Sequence, residues 1–489
     1  MKINHIKLKT LVAITAASFT FGCSKINDIN VSPNNPSIDK ATPQVLFPSA
    51  VLSTAGNVGG ELDIIGGIWS QYWTQSPAAN QFKTIDSYNL QRQDFNGTYN
   101  GLFSGALPDY QLAISKAKDA GQFPFYLMAT VMKAYTYEIL VDLYDQVPYT
   151  EAFQGAANLQ PKFDDGFTIY KGLLAEIDAA LATKYNVTLI ANDAKADFLF
   201  GGNMDNWRKF ANTLKLKMYL RMVNTHPQDA EAGVRALYAA QADFLDTDAG
   251  VNVFTDATDQ RNPIYAYTVF NLGANDLRAS KTFTSWLTAN DDPRITNYFG
   301  TTAPTAIDQG YYNAPQSAQP GYYSATAPKL AATDPVYFLT TAESYFLQAE
   351  AAARYNVGAT ASSLFNAGVK AAFDQYGLTA PTGTAYTYPN GTLQANLRAI
   401  IYQKWASYPN SHTIEGFFDQ ERTGYPEHSP VYSLDATYVA GQWVYSKNGV
   451  TGGKFPKRLV YPDSERSRNA NTPAEVPITT PVWWGLPNN

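Results

Sequence analysis

The chain has 489 residues, with 36 basic and 42 acidic side chains and a formal charge of −6. A mildly acidic chain carries no electrostatic footprint for nucleic acid, and a single cysteine, Cys23, rules out a disulfide framework. A hydrophobic content of 45% suffices for a large core, and 33 Tyr, 26 Phe and 8 Trp supply rings for that core or for binding surfaces.

The first residues are cationic, with Lys2, Lys7 and Lys9, and an apolar run follows from Leu11 to Phe19. A basic start, a short apolar stretch and a small residue before the cut describe a secretory signal. The run is well short of the ~20 residues that cross a bilayer. It ends in Thr20-Phe21-Gly22-Cys23, which resembles the bacterial lipobox with Thr20 where leucine is usual. The signal is expected over 1–22, and the mature chain is expected to begin at Cys23, acylated on its thiol and held to a membrane by lipid. A polar, proline-bearing tether over 23–45 joins the lipid to the fold. Charges or prolines interrupt every later apolar stretch. Residues 46–489 contain no Gly/Ser linker or charge block and read as one domain.

Helical periodicity then dominates. Segments 46–72, 98–117 and 124–144 read as helices. Phe167, Tyr170, Leu174, Ile177 and Leu181 recur at steps of three and four and mark 167–181. Trp207, Phe210, Leu214, Met218 and Met222 mark 207–222 in the same way. Segments 342–355 and 361–376, joined by a turn at Gly358, set small alanines against large aromatics, the pattern of a tetratricopeptide-type hairpin. Leu397, Ile401, Trp405 and Tyr408 mark 397–408. The stretches 250–335 and 424–489 are rich in Pro, Gly, Tyr, Asn and Thr and read as long ordered loops, which inside a folded domain tend to be functional.

Trp69, Tyr72 and Trp73 end the first helix, just before the amide-rich loop Thr74–Gln81. Such a rim suits a sugar or peptide site: rings stack on the ligand while Gln75, Asn80 and Gln81 bond its hydroxyls or amides. Trp69 and Trp73 are four apart, so they also suit core packing. Tyr311, Tyr312, Tyr322 and Tyr323 lie in Gly/Asn/Ser-rich segments, where open rings favour ligands with apolar CH faces, sugars above all. Asp246, Asp248, Asn252, Asp256 and Asp259 cluster in one loop as hard oxygen donors of the calcium type. Gly250 does not fall where an EF-hand needs it, and solvated loop acids are the competing reading. No other cofactor is expected.

No metalloprotease, nucleophile-elbow, phosphate-loop or dinucleotide motif occurs. His226, His412 and His428 have no partner at metal-ligand spacing. A glycosidase needs only two carboxylates, ~5–9.5 Å apart. Glu343 and Glu350, on one side of a helix, are the candidates for that pair. Ion pairing at a helix contact, with Arg354 one turn beyond Glu350, is the simpler reading.

Six motifs in order resemble the SusD/RagB family of nutrient-binding outer-membrane lipoproteins, in its SusD-like branch. Residues 142–152, from Asp142 to Ala152, resemble D-x-x-G-D-V-P-Y-x-E-A, departing from it at Tyr144-Asp145-Gln146. Pro161-Lys162-Phe163-Asp164 and Gly201-Gly202-Asn203 with the helix from Trp207 to Leu216 match the next segments. Ala342 to Ala351 is similar to A-E-x-x-F-x-x-A-E-A. Gln403-Lys404-Trp405 with Glu415 to Pro426, then Phe455-Pro456-Lys457-Arg458-Leu459 with Tyr461-Pro462, complete the series.

The resemblance implies a mostly α, SusD-like fold, with tetratricopeptide-type helix pairs scaffolding long ligand-binding loops. It implies a non-catalytic, lipid-anchored protein of the cell surface that binds an oligosaccharide and caps a TonB-dependent SusC-like transporter. A peptide ligand is the alternative, and a surface glycosidase using Glu343 and Glu350, or a pure scaffold, ranks below both. The motifs are helix-packing features and name no ligand contacts.

Overall fold

The computed structural model of the chain describes residues 40–183, 189–410 and 412–486. The expected signal and Cys23 lie outside the described residues. The longer helices are α1 (Pro43–Val58), α2 (Glu61–Trp69), α3 (Leu107–Asp119), α4 (Phe123–Tyr144), α5 (Gly166–Leu181) and α6 (Met204–Arg221). They continue as α7 (Pro227–Ala239), α8 (Lys281–Ala289), α9 (Thr341–Tyr355), α10 (Ala361–Asp374), α11 (Leu393–Ser407) and α12 (Thr413–Thr423).

Local chemistry sets these boundaries. Asp165, Asn203, Thr340, Thr360 and Thr392 each accept a hydrogen bond from a first-turn N–H of α5, α6, α9, α10 and α11, satisfying donors the helix cannot satisfy itself. Proline in the first turn opens α1, α3, α4 and α7, where its missing N–H would have had no partner. The expected helix 46–72 divides at Gly59-Gly60, and α1 begins at Pro43, inside the expected tether. The helices α7, α8 and α12 were not legible. The apolar face of α7 is only Ala230, Val234 and Leu237, and α12 is dense in charges that turn out to be buried.

The core is built around α4, which is buried on all sides from Phe125 to Tyr144, its Lys133, Glu138 and Asp142 included. It packs against α3, α5, α6 and α1. The α6–α7 hairpin packs beside it and the α9–α10 hairpin packs on α6, with α11 on α9 and α12 on α2 and α11. Gly368 lets α9 and α10 approach closely, since a Cβ there would lie 2.7 Å from the Phe346 ring. The expected loop 424–489 threads back into this core, burying Trp443, Leu459, Val482 and Trp484.

Charges also occupy the centre. Lys217 on α6 lies 2.6 Å from Glu415 and 3.2 Å from Glu138. Arg221 meets Asp142 at 2.9 Å and Glu415 at 3.0 Å. Lys404 pairs with Asp419 at 3.0 Å, and Arg422 reaches Glu350 at 2.7 Å. Buried charges persist only when paired in this way, so acids and bases on α4, α6, α9, α11 and α12 fix how those helices meet.

Among the described residues, three short antiparallel ribbons pin the loops. β1 (Trp73–Gln75) pairs with β5 (Leu277–Ala279), β2 (Gln146–Pro148) with β3 (Phe163–Asp165), and β4 (Ala249–Val251) with β6 (Val336–Leu339). The first ribbon, in register Trp73↔Ala279 and Gln75↔Leu277, holds the 76–83 loop beside residues 265–276. Where β1 leaves α2, the Trp73 indole lies against Gly67, and a Cβ on Gly67 would come within 1.9 Å of that ring. Gly67→Ala is therefore expected to lower stability by about 1–3 kcal/mol through overpacking, read from the urea midpoint of unfolding.

Candidate functional site

Trp69, Tyr72, Trp73 and Gln75, expected to rim a ligand site, are core residues. Trp69 sets its ring 5.0 Å from Phe417 and donates its indole N–H to the Ile85 carbonyl at 3.1 Å. Tyr72 stacks on Trp405 at 5.8 Å and donates its hydroxyl to the Trp405 carbonyl at 2.9 Å. Trp73 is enclosed beside Gly67. Gln75 is buried too: its Oε1 accepts the Phe82 N–H at 2.6 Å, and its Nε2 donates to the Ser76 carbonyl at 3.0 Å and to Asp276 at 3.3 Å. Trp69 ends α2 on its inward side and Trp73 opens β1, so the two are buried from different elements and the helical spacing of four does not relate them.

Gln75 has a different use: it shapes the loop. Asp276 Oδ1 accepts both Gln75 Nε2 and the Gln81 N–H, at 3.3 and 2.9 Å. Asp86 accepts the Thr74 hydroxyl at 2.6 Å, the Gln75 N–H at 2.7 Å and Gln309 Nε2 at 3.2 Å. Burial still pushes the Asp86 carboxyl up to about 6, against the lowering effect of those donors. Gln71 binds both the N–H and the carbonyl of Val444, at 3.0 and 2.8 Å. Buried amides thus fasten segments 76–83, 309–310 and 444 to one frame.

That frame presents an aromatic and polar face. Asn80 and Gln81 are exposed. Gln81 Nε2 donates to the Tyr267 hydroxyl at 2.8 Å, and the Tyr267 ring meets Phe82 edge-on at 5.9 Å. Phe270 is 57% exposed, with the Arg261 guanidinium 3.9 Å from its ring. Lys83, next to Phe82 in the chain, sets its Nζ 5.3 Å from the Tyr312 ring. Lys447 Nζ lies 4.3 Å from Tyr311 and 4.9 Å from Tyr432. Of the four tyrosines singled out from the sequence, Tyr311 and Tyr312 are half-buried on this face. Tyr322 is buried and donates to Asp308 at 2.9 Å, while Tyr323 donates to the Ala314 carbonyl at 3.0 Å. These two brace the Tyr311 loop. Sequence reasoning missed Tyr267, Phe270, Lys83, Tyr432 and Lys447. The composition of 250–335 and 424–489 flagged most of the segments, but nothing local says which rings stay open.

The other candidates have structural work. Asp246 pairs with Lys209 at 2.7 Å, and Asp248 accepts the N–H and hydroxyl of Thr341, at 2.7 and 2.8 Å, at the start of α9. Asn252 is exposed. Asp246 and Asp248 are thus engaged by Lys209 and Thr341. Among the described residues, Glu343, His412 and Glu415 bring potential ligand atoms within 4.8 Å of one another. The Lys217 ammonium is already 2.6 Å from Glu415 and 4.0 Å from Glu343, so a cation stands among those carboxylates. Glu343 and Glu350 are sealed in the core. Burial favours the neutral form of Glu350, but Arg422 and Arg354 override it and hold the carboxyl well below its usual range. A carboxyl held ionised and enclosed is no general acid. His428, stacked 3.8 Å from the Phe455 ring, is lowered to about 3 by burial and then by Lys457.

A cavity of about 640 Å³ opens between α5, α6 and α7. Its charges pair among themselves or with adjacent acids, as in Lys215 with Asp178, Lys209 with Asp246 and Arg208 with Asp205. Its one ring, Tyr219, is turned against Gly233. It offers no open stacking surface, whereas the loop face does.

Fold and loops together define a helical scaffold that displays an aromatic–amide face. A family model for SusD-like proteins, described as starch-binding and associating with the outer membrane, matches residues 33–462. The chain belongs to the SusD-like family. Its fold is similar to that of a SusD homologue from Bacteroides uniformis, with a TM-score of 0.73 and 22% identity over 90% of this chain and 99% of that one. It is also similar to a chitin-binding SusD homologue from Flavobacterium johnsoniae, with a TM-score of 0.73 and 21% identity over 90% of this chain and 98% of that one. A SusD-like protein from Bacteroides thetaiotaomicron gives a TM-score of 0.68 and 21% identity over 90% and 99% of the two chains. These likenesses bear out the mostly α, SusD-like fold. No curated protein matches the sequence. No described helix is long and apolar enough to cross a membrane.

Proposed function

We propose that the chain is a non-catalytic glycan-binding protein of the outer-membrane surface, which takes an oligosaccharide on the loop face and passes it to a TonB-dependent SusC-like transporter. The observation that carries this reading is the pair of open rings, Tyr267 and Phe270, beside the exposed amides of Asn80 and Gln81. Rings cover the CH faces of a sugar, and amides bond its hydroxyls. Membership of a family described as starch-binding and outer-membrane-associated supports it, as does the fold shared with a chitin-binding homologue. The lipobox-like sequence at Cys23 supports anchoring. A lipid tether would confine the protein to the plane of its transporter and raise effective concentration, so a weak contact between the two suffices. The sealed setting of Glu343 and Glu350 supports binding without hydrolysis.

The test is a glycan array probed with protein lacking residues 1–23, with a peptide panel beside it. A dose-dependent sugar signal is expected. Tyr267→Ala and Phe270→Ala are each expected to cost about 1–2 kcal/mol, roughly five- to thirtyfold in affinity, and the melting temperature reads separately the loss of their contacts with Gln81, Phe82 and Arg261. Binding to peptides alone would overturn the glycan reading.

A further inference from the structure

We infer that the glycan taken by the loop face is anionic, its carboxylate or sulfate groups held by Lys83 and Lys447. This rests on the reading of that face as a glycan site and assigns the ligand its charge.

Lys83 and Lys447 are both half-buried. Among the described residues neither ammonium has a carboxylate within ion-pair distance, and each lies instead over a tyrosine ring. The buried lysines behave differently. Lys133, Lys215, Lys217, Lys404 and Lys457 each meet a carboxylate. Among the described residues Lys116 and Lys281 are also half-buried without an ion pair, so what sets Lys83 and Lys447 apart is that each lies over a tyrosine of one loop, Tyr312 and Tyr311.

The acids around them are turned away. Asp86 is fully buried and saturated by Thr74, Gln75 and Gln309. Asp308 is fully buried and accepts from Tyr322 and Ser433. Asp435 accepts the Thr437 N–H at 2.8 Å and its hydroxyl at 2.6 Å.

The two lysines are carried by one frame, each over a ring of the same loop. Their ring platforms, Tyr312 and Tyr311, are consecutive residues. The strand of chain that carries Lys447 is tied to the same frame: its N–H donates to the Gln309 carbonyl at 3.0 Å, and the Val450 N–H donates to the Ser87 carbonyl at 3.0 Å. A ring satisfies one side of an ammonium electrostatically and leaves its other N–H donors free. An oxyanion of the ligand can then complete a charge-assisted hydrogen bond, the strongest type available to a lysine. A neutral sugar would leave both charges partly desolvated and uncompensated.

The test is calorimetric titration of the protein lacking residues 1–23 with four probes. Oligogalacturonate carries carboxylates, chondroitin sulfate oligosaccharide adds sulfates, maltooligosaccharide is neutral, and oligoglutamate is a polyanion without sugar. At least one anionic sugar is expected to bind in preference to the neutral one, and which of the two binds tells carboxylate from sulfate. Lys83→Gln and Lys447→Gln are each expected to weaken that binding about tenfold, the worth of a charge-assisted hydrogen bond. Added salt should weaken the unsubstituted protein more than the double variant. Binding of maltooligosaccharide alone, untouched by either substitution, would overturn this inference and leave the glycan reading standing. Oligoglutamate bound as tightly as the anionic sugars would overturn it in favour of acidic peptides. Binding of no sugar at all would sink both.

Discussion

Arg221→Met is expected to cost the folded chain about 3–5 kcal/mol, because it strands buried carboxylates that lose their cation. Arg221 Nε lies 2.9 Å from Asp142, and Nη2 lies 3.0 Å from Glu415 and 3.7 Å from Glu138. Its guanidinium also packs 5.0 Å from the Phe418 ring and 5.1 Å from that of Trp484. Burial opposes its charge, but Glu415 and Asp142 more than compensate. Methionine keeps the apolar stem and removes the charge, leaving Lys217 beside Glu415 and Glu138 and taking from Asp142 its cation. Urea unfolding measures the loss. A double variant, Arg221→Met with Asp142→Asn, is expected to recover part of it. The amide can still accept from Trp484 and Tyr170, which now donate to Asp142 Oδ1 at 2.7 and 2.5 Å, and one stranded charge is gone. A single-variant cost below about 1 kcal/mol would mean that water or rearrangement compensates the acids, contrary to a paired, dry network.

The same network shows why some of this protein could be read from its sequence and some could not. Residues such as Leu174, Ile177, Leu214 and Met218 repeat at helical spacing, and the helices they announce are present. Glu343 and Glu350 were visible as a pair on one helix side. Their meaning was not, because their partners Lys217, His412 and Arg422 come from α6, the turn before α12, and α12 itself. Trp69 and Trp73 raised two readings from one spacing, and the decision lies in the chain leaving the helix at Trp69 and entering β1 at Trp73, which buries both from different elements. The open rings were least legible of all. Whether a tyrosine is exposed depends on how its loop is fastened, and the fastenings are long-range. Gln71 and Val444, hydrogen-bonded in both directions, are 373 residues apart. Composition can flag a tyrosine-rich loop, but it cannot say that Gln71, Gln75 and Gln309 will fix which of its faces looks outward.

Those fastenings titrate, and Asp86→Asn is expected to flatten the fall of stability between pH 5 and pH 8 by about 1–2 kcal/mol. Burial raises Asp86 from 3.8 to about 6 even though Thr74, Gln75 and Gln309 donate to it. Asp63, raised by burial to about 6 against the donor Thr413, acts in the same sense. A carboxyl whose folded value exceeds its unfolded value holds its proton more tightly in the folded chain. Its contribution is complete below pH 3.8 and is lost as pH rises through about 6. His428 works the other way. Its folded value of about 3 lies below 6.5, so its contribution is present above that pH and lost as pH falls. The unsubstituted profile therefore mixes opposing slopes, and the difference between it and the Asn variant isolates Asp86. Asparagine is neutral at every pH and imitates the protonated acid, accepting from Thr74 and Gln75 through its one oxygen. Identical slopes in the two proteins would show that Asp86 ionises in the fold as easily as in the unfolded chain. A reduced slope would place the cost of ionisation at the point where β1, Gln309 and the 76–83 loop converge. The same pH rise would then loosen the frame beneath Tyr267 and Tyr312, and ligand affinity on that face should decline in parallel.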